Sequence, residues 1–484
     1  MAIKGADLIT VGNQILLDRL QTSGPGQVNI PINKIYELGN YQCVGTTLDI
    51  PDLSFPLESF DASAEMESLL TGSTTFATDP NGTVYDIGKC LPLDIASQFK
   101  RGSIDPNLYN VMMGVGVPYL VLEQLSYKFG NTTEAKQTAT LKSDSIFYSP
   151  GSVFIQTAAG TALANQTITL TNPAFPYKGD TINGTRYALG VTLASGKRLI
   201  YGVDFTETAT TMASTLSAAL TTAAPITSLP VAATTGAAIT AGQTIVVTSG
   251  AHTQNFVASG TAAIAATTIP VVSQVPNFAY PIGSTVAGAT SNSTVTILSP
   301  VATTDTVRVM YSSDTVAVYL QTVHAAASAT RPAAIKGRDI KVFVGGTAIT
   351  NAWTGVQDVQ LDWKVTLDRD IEFGNNNVVA QDYFIPMVNG TITVRPRNPL
   401  DLYTRIAQIA GTTVNEVVGA LQRTALSLEI VLYSPDSGLP LKSLKVPDAR
   451  FTVPGFNAQV QKKMDVQIKF ESDGGLLQVV KGAL

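Results

Sequence analysis

The chain has 484 residues, which is enough for two to four domains that each bury a hydrophobic core. Hydrophobic residues make up 45% of the chain and charged residues 14%, a balance that argues against wholesale disorder. The formal net charge of -5 and the pI near 5.2 provide no basic field for gripping phosphates, which argues against tight nucleic-acid binding.

The segment Met1–Asp7 lacks the charged and apolar parts of a secretion signal, and no later run reaches the roughly 18 apolar residues of a membrane helix. We therefore expect neither secretion nor a membrane span. Cys43 and Cys90 are too few for a disulfide framework and lack metal-binding spacing. We expect buried thiols, and the sequence leaves open whether the two pair.

Residues 1–155 have the pattern of a first β domain. Asp52–Phe60 is predicted to be a strand, and Pro56 places it at a sheet edge or a bulge. Ser63 is predicted to cap a short helix, with Gly72 just past its end.

Further along this segment, Gly114–Pro118 is predicted to form a turn before a strand. Tyr119–Phe129 and Gln137–Tyr148 are predicted to be two strands, joined by the polar turn Gly130–Thr133.

Residues 156–330 have a different composition and read as an inserted, β-rich region. Between Glu207 and Asp305 there is no Asp, Glu, Lys or Arg, and short apolar runs alternate with Gly, Ala and Ser breaks. This spacing is typical of a small sandwich or barrel, and two nested modules are one interpretation. A flexible Ala/Thr linker is the alternative. Ala213–Leu220 is predicted to be a short helix.

The segment Val356–Gly411 organises the third region, residues 331–484. Apolar residues from Val359 to Leu367 alternate with polar ones, which predicts a long, half-buried strand. A polar tip at 372–377 leads to a return strand, and Asn398 is predicted to cap a helix that ends before Gly411.

Residues 1–155 and 331–484 are interpreted as two versions of one fold. Both contain a strand, a capped helix and a final hairpin, and Leu141–Asp144 matches Phe470–Asp473. A rival register aligns Pro92–Phe99 with Pro399–Ile406. The alternative to duplication is that any two β domains with one helix share this pattern.

Residues with catalytic or metal-binding chemistry are scarce. Only His252 and His324 are present, with no acidic residue close in sequence to complete a zinc site or a Ser-His-acid triad. The segment Asp368–Gly374 superficially resembles a calcium loop, but its glycine is one place late and Val379 stands where a bidentate Glu belongs. No phosphate-binding glycine loop is present. We expect no enzyme, no cofactor and no metal.

The long alternating strands indicate assembly, since an open sheet edge invites pairing with another chain. Closing a ring of sheets removes such edges, and the polar face of the long strand would then line a wet lumen through which DNA passes without sticking. The predicted lumen-facing residues are Gln360, Asp362, Lys364 and Thr366.

The segments Val117–Phe129 and Thr140–Tyr148, with the strand, arm, strand and helix order of 356–411, resemble the tail tube (major tail) proteins of long, non-contractile-tailed bacteriophages. The resemblance implies a mainly β fold with two tail-tube-like β-sandwich domains, 1–155 and 331–484, each with a short flanking helix. An inserted Ig-like or β-sandwich region, 156–330, would separate them and decorate the exterior.

The same resemblance implies a structural virion protein that stacks as rings around a tape-measure protein and bounds the channel for DNA ejection. It would be located in the virion tail after assembly in the host cytoplasm. Two tube domains per chain predict trimeric rings with pseudo-sixfold symmetry, and hexamers if the duplication is false. The arm 370–386 would contact the neighbouring ring, through Asp370, Glu372, Asn375, Asn376, Asn377, Tyr383 and Phe384.

Two other classes remain open at this stage. A head or baseplate protein would share the insert chemistry without needing paired tube units. A carbohydrate-binding adhesin would use the insert as its working end, with stacking surfaces supplied by Tyr177, Tyr187, Phe205 and Tyr280.

Overall fold

The computed structural model describes the chain from residue 8 to residue 482, with interruptions. The interruptions are 13–14, 17–19, 24–27, 30–31, 36–44, 49–50, 61–62, 74–78, 101–110, 150, 173, 175–176, 179–184, 211–212, 237, 240, 242, 289–291, 314–334, 346–351, 371–377, 379, 396–403, 405–406, 408–424 and 453–464. The described chain consists mainly of β-strands with little helix, which confirms the predicted mainly β class.

The first region contains twelve strands and one α-helix among its described residues. They are β1 (Leu8–Gly12), β2 (Ile15–Leu16), β3 (Leu20–Ser23), β4 (Val28–Asn29), β5 (Ile32–Ile35), β6 (Gly45–Leu48), β7 (Asp52–Phe60), α1 (Glu65–Leu70), β8 (Val84–Asp86), β9 (Leu93–Lys100), β10 (Val111–Gly130), β11 (Lys136–Ser143) and β12 (Phe147–Ser149). A 3-10 helix spans Ile87–Lys89.

Short strands follow through the inserted region. They are β13 (Ser152–Ala159), β14 (Gln166–Thr169), β15 (Tyr177–Lys178), β16 (Thr185–Arg186), β17 (Ala188–Leu193), β18 (Phe205–Thr210), β19 (Ala213–Thr215), β20 (Ile226–Pro230), β21 (Thr244–Ser249), β22 (His252–Val257), β23 (Thr268–Gln274), β24 (Thr285–Gly288), β25 (Asn292–Ile297) and β26 (Thr306–Ser313).

Longer strands return in the last region, after a 3-10 helix at Gly337–Asp339. They are β27 (Ile340–Val344), β28 (Val356–Asp370), β29 (Ala380–Val394), β30 (Leu426–Tyr433), β31 (Pro440–Phe451), β32 (Val466–Ser472) and β33 (Gln478–Lys481).

The chain forms two compact units. The sheet unit takes residues 9–95, 117–146 and 320–484, and the insertion unit takes 1–8, 96–116 and 147–319. This division differs from the predicted boundaries at residues 155 and 331. The physical reason is strand pairing, since β10 is hydrogen-bonded to β28 and thereby brings the two ends of the chain into one sheet.

The central part of the sheet unit has the strand order β7, β11, β10, β28, β29, β32, β31, with every neighbouring pair antiparallel. Alternate residues of these strands are buried, as the two-residue period predicts. In β28, Val359, Leu361, Trp363 and Val365 are buried, and each such side chain contributes about 1.5–3 kcal/mol of hydrophobic stabilisation.

The two ends of the chain repeat one strand pattern within this sheet. The order β3, β7, β11, β10 in the first region corresponds to β28, β29, β32, β31 in the last. Leu20 pairs with Ser59 and Thr22 with Glu58, which leaves one residue of β3 as a bulge. Val356 with Val394 and Asp358 with Thr393 place a bulge at the matching position of β28. A bulge is a specific local feature, so its recurrence supports the correspondence.

Both repeats also carry a long β-hairpin, which we call the first arm and the second arm. The first arm runs out along β3, β4 and β5 and returns along β6 and β7, with Ile35 paired to Gly45 at its far end. The second arm runs out along β28 and returns along β29, with Asp370 paired to Ala380. The tips between these pairs, 36–44 and 371–379, have equal lengths.

Pro56 lies inside the sheet without breaking it. It pairs with Thr140 of β11 on one side. On the other side of β7, Ser23 pairs with Leu57 and Val28 with Leu53, so Pro56 lies between the described pairs of β3 and those of β4.

The insertion unit contains a sheet of order β13, β26, β17 and a second of order β14, β25, β18. Between β18 and β25 the chain forms two further sheets, β19-β24-β21-β22 and β20-β23. The strands from β19 to β24 enclose their own buried cluster, which includes Leu229, Ile245, Phe256 and Tyr280. We call residues 213–288 the nested module.

Three local predictions are wrong and one falls mainly outside the described residues. Gly114–Pro118 is part of β10, and Ala213–Leu220 begins as β19, because cross-strand pairing overrides turn and helix propensity. Helix α1 starts after Ala64, with no side-chain cap from Ser63. The predicted 398–411 helix is described only at 404 and 407, both helical.

The rival register for the internal repeat is also wrong. Leu93–Lys100 is a strand, whereas Thr404 and Ala407, in and beside the segment that this register would align with it, are helical.

Candidate functional site

The polar face of β28 follows the predicted pattern. Gln360, Lys364 and Thr366 are exposed and Asp362 is half-buried. The side-chain amide of Gln360 donates to Asp362 Oδ2 at 2.8 Å. The structure therefore brings these four residues to one face, and their orientation towards a lumen stays a prediction.

The sequence reasoning missed the continuation of this face onto β10. Gln124 pairs with Lys364, Ser126 with Asp362, and Lys128 with Gln360. The buried alternation Leu125, Tyr127, Phe129 was the signal that could have found these residues. Further polar residues on neighbouring strands are Glu58, Lys136, Thr138, Thr391, Gln467, Lys469 and Glu471. The face is polar and carries both signs of charge.

The second arm is described up to its tip. Asp370 is exposed, and the return limb carries exposed apolar side chains at Phe384, Ile385 and Met387, of which Ile385 is 80% exposed. Tyr383 lies in β29. The predicted contact residues Glu372, Asn375, Asn376 and Asn377 lie outside the described residues.

Two charged side chains of the first repeat hold Arg369, on the outgoing limb of the second arm. Arg369 Nη2 of β28 lies 2.7 Å from Asp52 Oδ1, and Lys142 Nζ of β11 lies 3.0 Å from Asp52 Oδ2. Burial by itself raises the pKa of Asp52, but the hydrogen bonds and charges of Lys142 and Arg369 outweigh burial and lower the pKa below its usual range. Side chains of the first repeat thus bind the outgoing limb of the second arm.

A buried carboxylate holds the far side of the same arm. Asp144, directly after β11, accepts the backbone N–H of Val378 on Oδ2 at 2.6 Å and the Ser145 hydroxyl on Oδ1 at 2.8 Å. Asp144 and Val378 are both buried. Together with Asp52, this contact forms what we call the arm clamp: Asp52, Lys142, Asp144, Arg369 and Val378.

A buried ion pair joins the two ends of the chain elsewhere in the sheet unit. Glu67 of α1 pairs with Lys442 of β31, and both side chains are fully buried. Glu67 Oε1 also accepts the Tyr127 hydroxyl at 2.5 Å and the Gln137 amide at 2.8 Å. Lys442 Nζ lies 4.9 Å from the centre of the Tyr127 ring. Such a network fixes the relative position of its elements, because a misplaced partner leaves a charge unpaired.

Groups with catalytic potential are engaged in structural roles. The Glu207 carboxylate accepts the backbone N–H groups of Tyr187 and Ala188. These hydrogen bonds and the Arg186 charge lower the pKa of Glu207, but burial outweighs them and raises it. Burial also raises the pKa of the Cys90 thiol, which suppresses thiolate chemistry. His252 stacks on Phe278 at 3.7 Å.

Within the described ranges, no three His, Cys, Asp or Glu side chains come together as a metal-binding group. In the same part of the chain, no helix has the length and apolarity to cross a membrane. Cys90 is a buried free thiol, as predicted, and Cys43 lies outside the described residues.

Comparisons with known proteins give weak likenesses. No family model and no curated protein matches the chain. The Dit protein of phage SPP1, described as a paradigm of the hub adsorption apparatus in phages infecting Gram-positive hosts, is 12% identical with a TM-score of 0.16, over 63% of this chain and 99% of that one.

Two structures of the phage P2 baseplate in its activated conformation, one with Ca and one with Sr, are 10% and 11% identical. Each has a TM-score of 0.18 and covers 64% of this chain and 99% of its own. TM-scores this low do not establish a shared fold.

Proposed function

We propose that this chain is a structural protein of a phage tail that polymerises as stacked rings into a hollow tube. The observation that carries the proposal is the pairing of β10 with β28, which places two equivalent repeats side by side in one sheet. The same kind of strand pairing between repeats of different chains would extend the sheet to further copies. The protein would be assembled in the host cytoplasm and located in the virion tail.

Ring closure follows from repeating this junction. In the chain, β10 of the first repeat pairs with β28 of the second. The counterparts are β31 and β3, so β31 of one copy would pair with β3 of the next and leave no open edge. Three copies would supply six repeats with pseudo-sixfold symmetry, and six copies would supply twelve.

The polar face of the sheet would line the channel. The face carries both lysines and acids, so DNA would meet no strong single-sign field and would pass without sticking. A tape-measure protein would occupy the same channel before DNA ejection. The proposed role is structural and involves no catalysis, cofactor or metal.

The second arm would reach the neighbouring ring with its tip and with the apolar limb at Phe384 and Ile385, which are exposed in the single chain. Deleting residues 375–377 should stop rings from stacking and leave single rings intact. Replacing the same residues by Gly-Ser-Gly is the matched control for arm length. Unchanged rods after both changes would refute this role.

The nested module would be dispensable for assembly. Thr210 of β18 pairs with Asn292 of β25, and these two residues flank the module with its connecting residues 211–212 and 289–291. Replacing residues 211–291 by an Asn-Gly turn therefore closes a hairpin and retains the surrounding strands. Rods should still form, and their loss with a folded subunit would show that the module takes part in assembly.

Negative-stain electron microscopy of the concentrated protein tests the proposal as a whole. We expect hollow rods of uniform diameter, built from threefold rings. A protein that remains monomeric at high concentration would contradict it.

A baseplate or head protein is the second candidate, because the same sheet junction would also build a single closed ring. Rings that never stack would favour it. The adhesin interpretation is weakened, since Phe205 and Tyr280, two of its four stacking residues, are buried in the insertion unit.

A further inference from the structure

The arm clamp inside the chain shows how one repeat receives the arm of its neighbour. Asp144, after β11 of the first repeat, accepts the N–H of Val378 at the tip of the second arm. Asp52 and Lys142 of the first repeat hold Arg369 of that arm. The acceptor residues all lie at one end of the β7-β11 pair.

The second repeat has an equivalent of this acceptor. Leu53 pairs with Ser143 and Ser54 with Lys142 in the first repeat, and Asn389 pairs with Glu471 in the second. The matching register aligns the end of β11 with the end of β32. Position by position, Lys142, Ser143 and Asp144 correspond to Glu471, Ser472 and Asp473.

The strands of the first arm end with the same pairing positions as the strands of the second arm. Lys34 pairs with Thr46 one step before the last pair of its arm, and Arg369 pairs with Gln381 at the same step. Lys34 therefore occupies the register position of Arg369, and both residues are basic. The equal-length tips share residues in sequence: Glu37, Gly39, Asn40 and Val44 correspond to Glu372, Gly374, Asn375 and Val379.

The acceptor of the second repeat differs from the first in charge. Met387 stands where the first repeat has Asp52, and Glu471 stands where it has Lys142. In the first repeat the acidic residue lies on β7, the strand that returns from the first arm. In the second repeat it lies on β32, the strand paired with the returning strand β29. Glu471 is exposed, and Asp473 is exposed with its carboxylate bound by Arg450 at 2.5 Å.

We propose that the end of β32 is the docking site for the first arm of a second copy of this chain, with Lys34 of that copy paired to Glu471. The occupant follows from the arm clamp, because the same strand end in the first repeat already holds an arm. The charge pattern agrees, since a basic residue again meets an acid. This inference rests on the proposed ring, and it names the contact that closes it.

Charge exchange tests the contact. Lys34→Glu and Glu471→Lys each place like charges together, and each should abolish rings, while the double variant restores the opposite charges and should restore rings. Lys89→Glu, at a lysine whose side chain is 82% exposed, is the control for the same change in net charge. Ring content is measured by sedimentation velocity and electron microscopy, and folding by tryptophan fluorescence.

The outcomes separate this inference from the proposed function. Rings in the wild type and in both single variants would overturn the docking site and leave the tube intact. Loss of rings in both single variants, with no recovery in the double variant, would also overturn the specific pair. If the wild type forms no rings, the tube proposal fails, and dimers that follow the same charge pattern would still support the contact.

Discussion

The two repeats of the sheet unit keep one backbone register and exchange their side chains. In the first repeat, Phe55 of β7 lies opposite Leu141 of β11, and both are fully buried. In the second, Gly390 of β29 lies opposite Phe470 of β32. A Cβ on Gly390 would lie 2.4 Å from the Phe470 ring, so the aromatic side chain has moved to the other strand of the pair. Each pair thus keeps one aromatic ring, but the residue opposite the ring is leucine in the first repeat and glycine in the second.

Charge is redistributed in the same way. The first repeat pairs Asp52 with Lys142, whereas the second has Met387 and Glu471 at those positions. The first acceptor is satisfied inside the chain by Arg369, and the second is exposed. The acceptor at Asp52 and Lys142 thus fixes the two repeats of one chain to each other, and the acceptor at Glu471 is the one that we propose for a second copy.

The largest effect is expected from breaking the ion pair that ties the repeats together. Lys442→Met leaves the buried Glu67 carboxylate without its cation and should lower the free energy of unfolding of the sheet unit by about 3–5 kcal/mol. Both tryptophans, Trp353 and Trp363, lie in this unit, so urea unfolding followed by tryptophan fluorescence reports on it alone.

The double variant Glu67→Gln with Lys442→Met is the matched control. It removes both charges, so we expect it to recover a large part of the lost stability. A loss below about 1 kcal/mol in Lys442→Met would show that the pair does not hold the two repeats together.

The exchanged core pair gives the next largest effect. Gly390→Ala should destabilise the sheet unit by about 1–3 kcal/mol, because the new Cβ meets the Gln360 carbonyl oxygen at 2.3 Å as well as the Phe470 ring. Adding Phe470→Leu, which copies Leu141 of the first repeat, should recover part of the loss.

Gly88→Ala serves as the control for glycine replacement in the same unit, since its Cβ would meet only the Asp86 side chain, at 3.3 Å. It should change stability by less than about 0.5 kcal/mol. Equal losses at both glycines would contradict the proposed packing exchange.

The smallest effect concerns the arm clamp and pH. The pKa of Asp52 is lower in the folded chain than its ordinary value of about 4, so its stabilisation is present above that pH and is lost as pH falls through the folded pKa. Asp52→Asn should therefore cost up to about 1 kcal/mol at pH 7 and less near pH 3, by urea unfolding at both pH values. An equal cost at both pH values would show that the charge of Asp52 is not what matters.

Sequence reasoning succeeded where the signal is local. The alternation from Val359 to Leu367 predicts a half-buried strand, and Asp52–Phe60 is the strand that its pattern indicates. It failed at Gly114–Pro118 and Ala213–Leu220, where glycine and alanine suggest a turn and a helix and strand pairing decides otherwise. The arm clamp could not be predicted, because its members come from distant strands.

By itself, the sequence determines that this protein is mainly β, which faces of its long strands are buried, and that an uncharged region is set between two charged ones. Only the tertiary structure decides which strands are neighbours. A two-residue period says which side of a strand meets the core and nothing about the strand beside it. The contact between Glu67 and Lys442 joins residues 375 positions apart, and only the folded sheet brings such residues within reach.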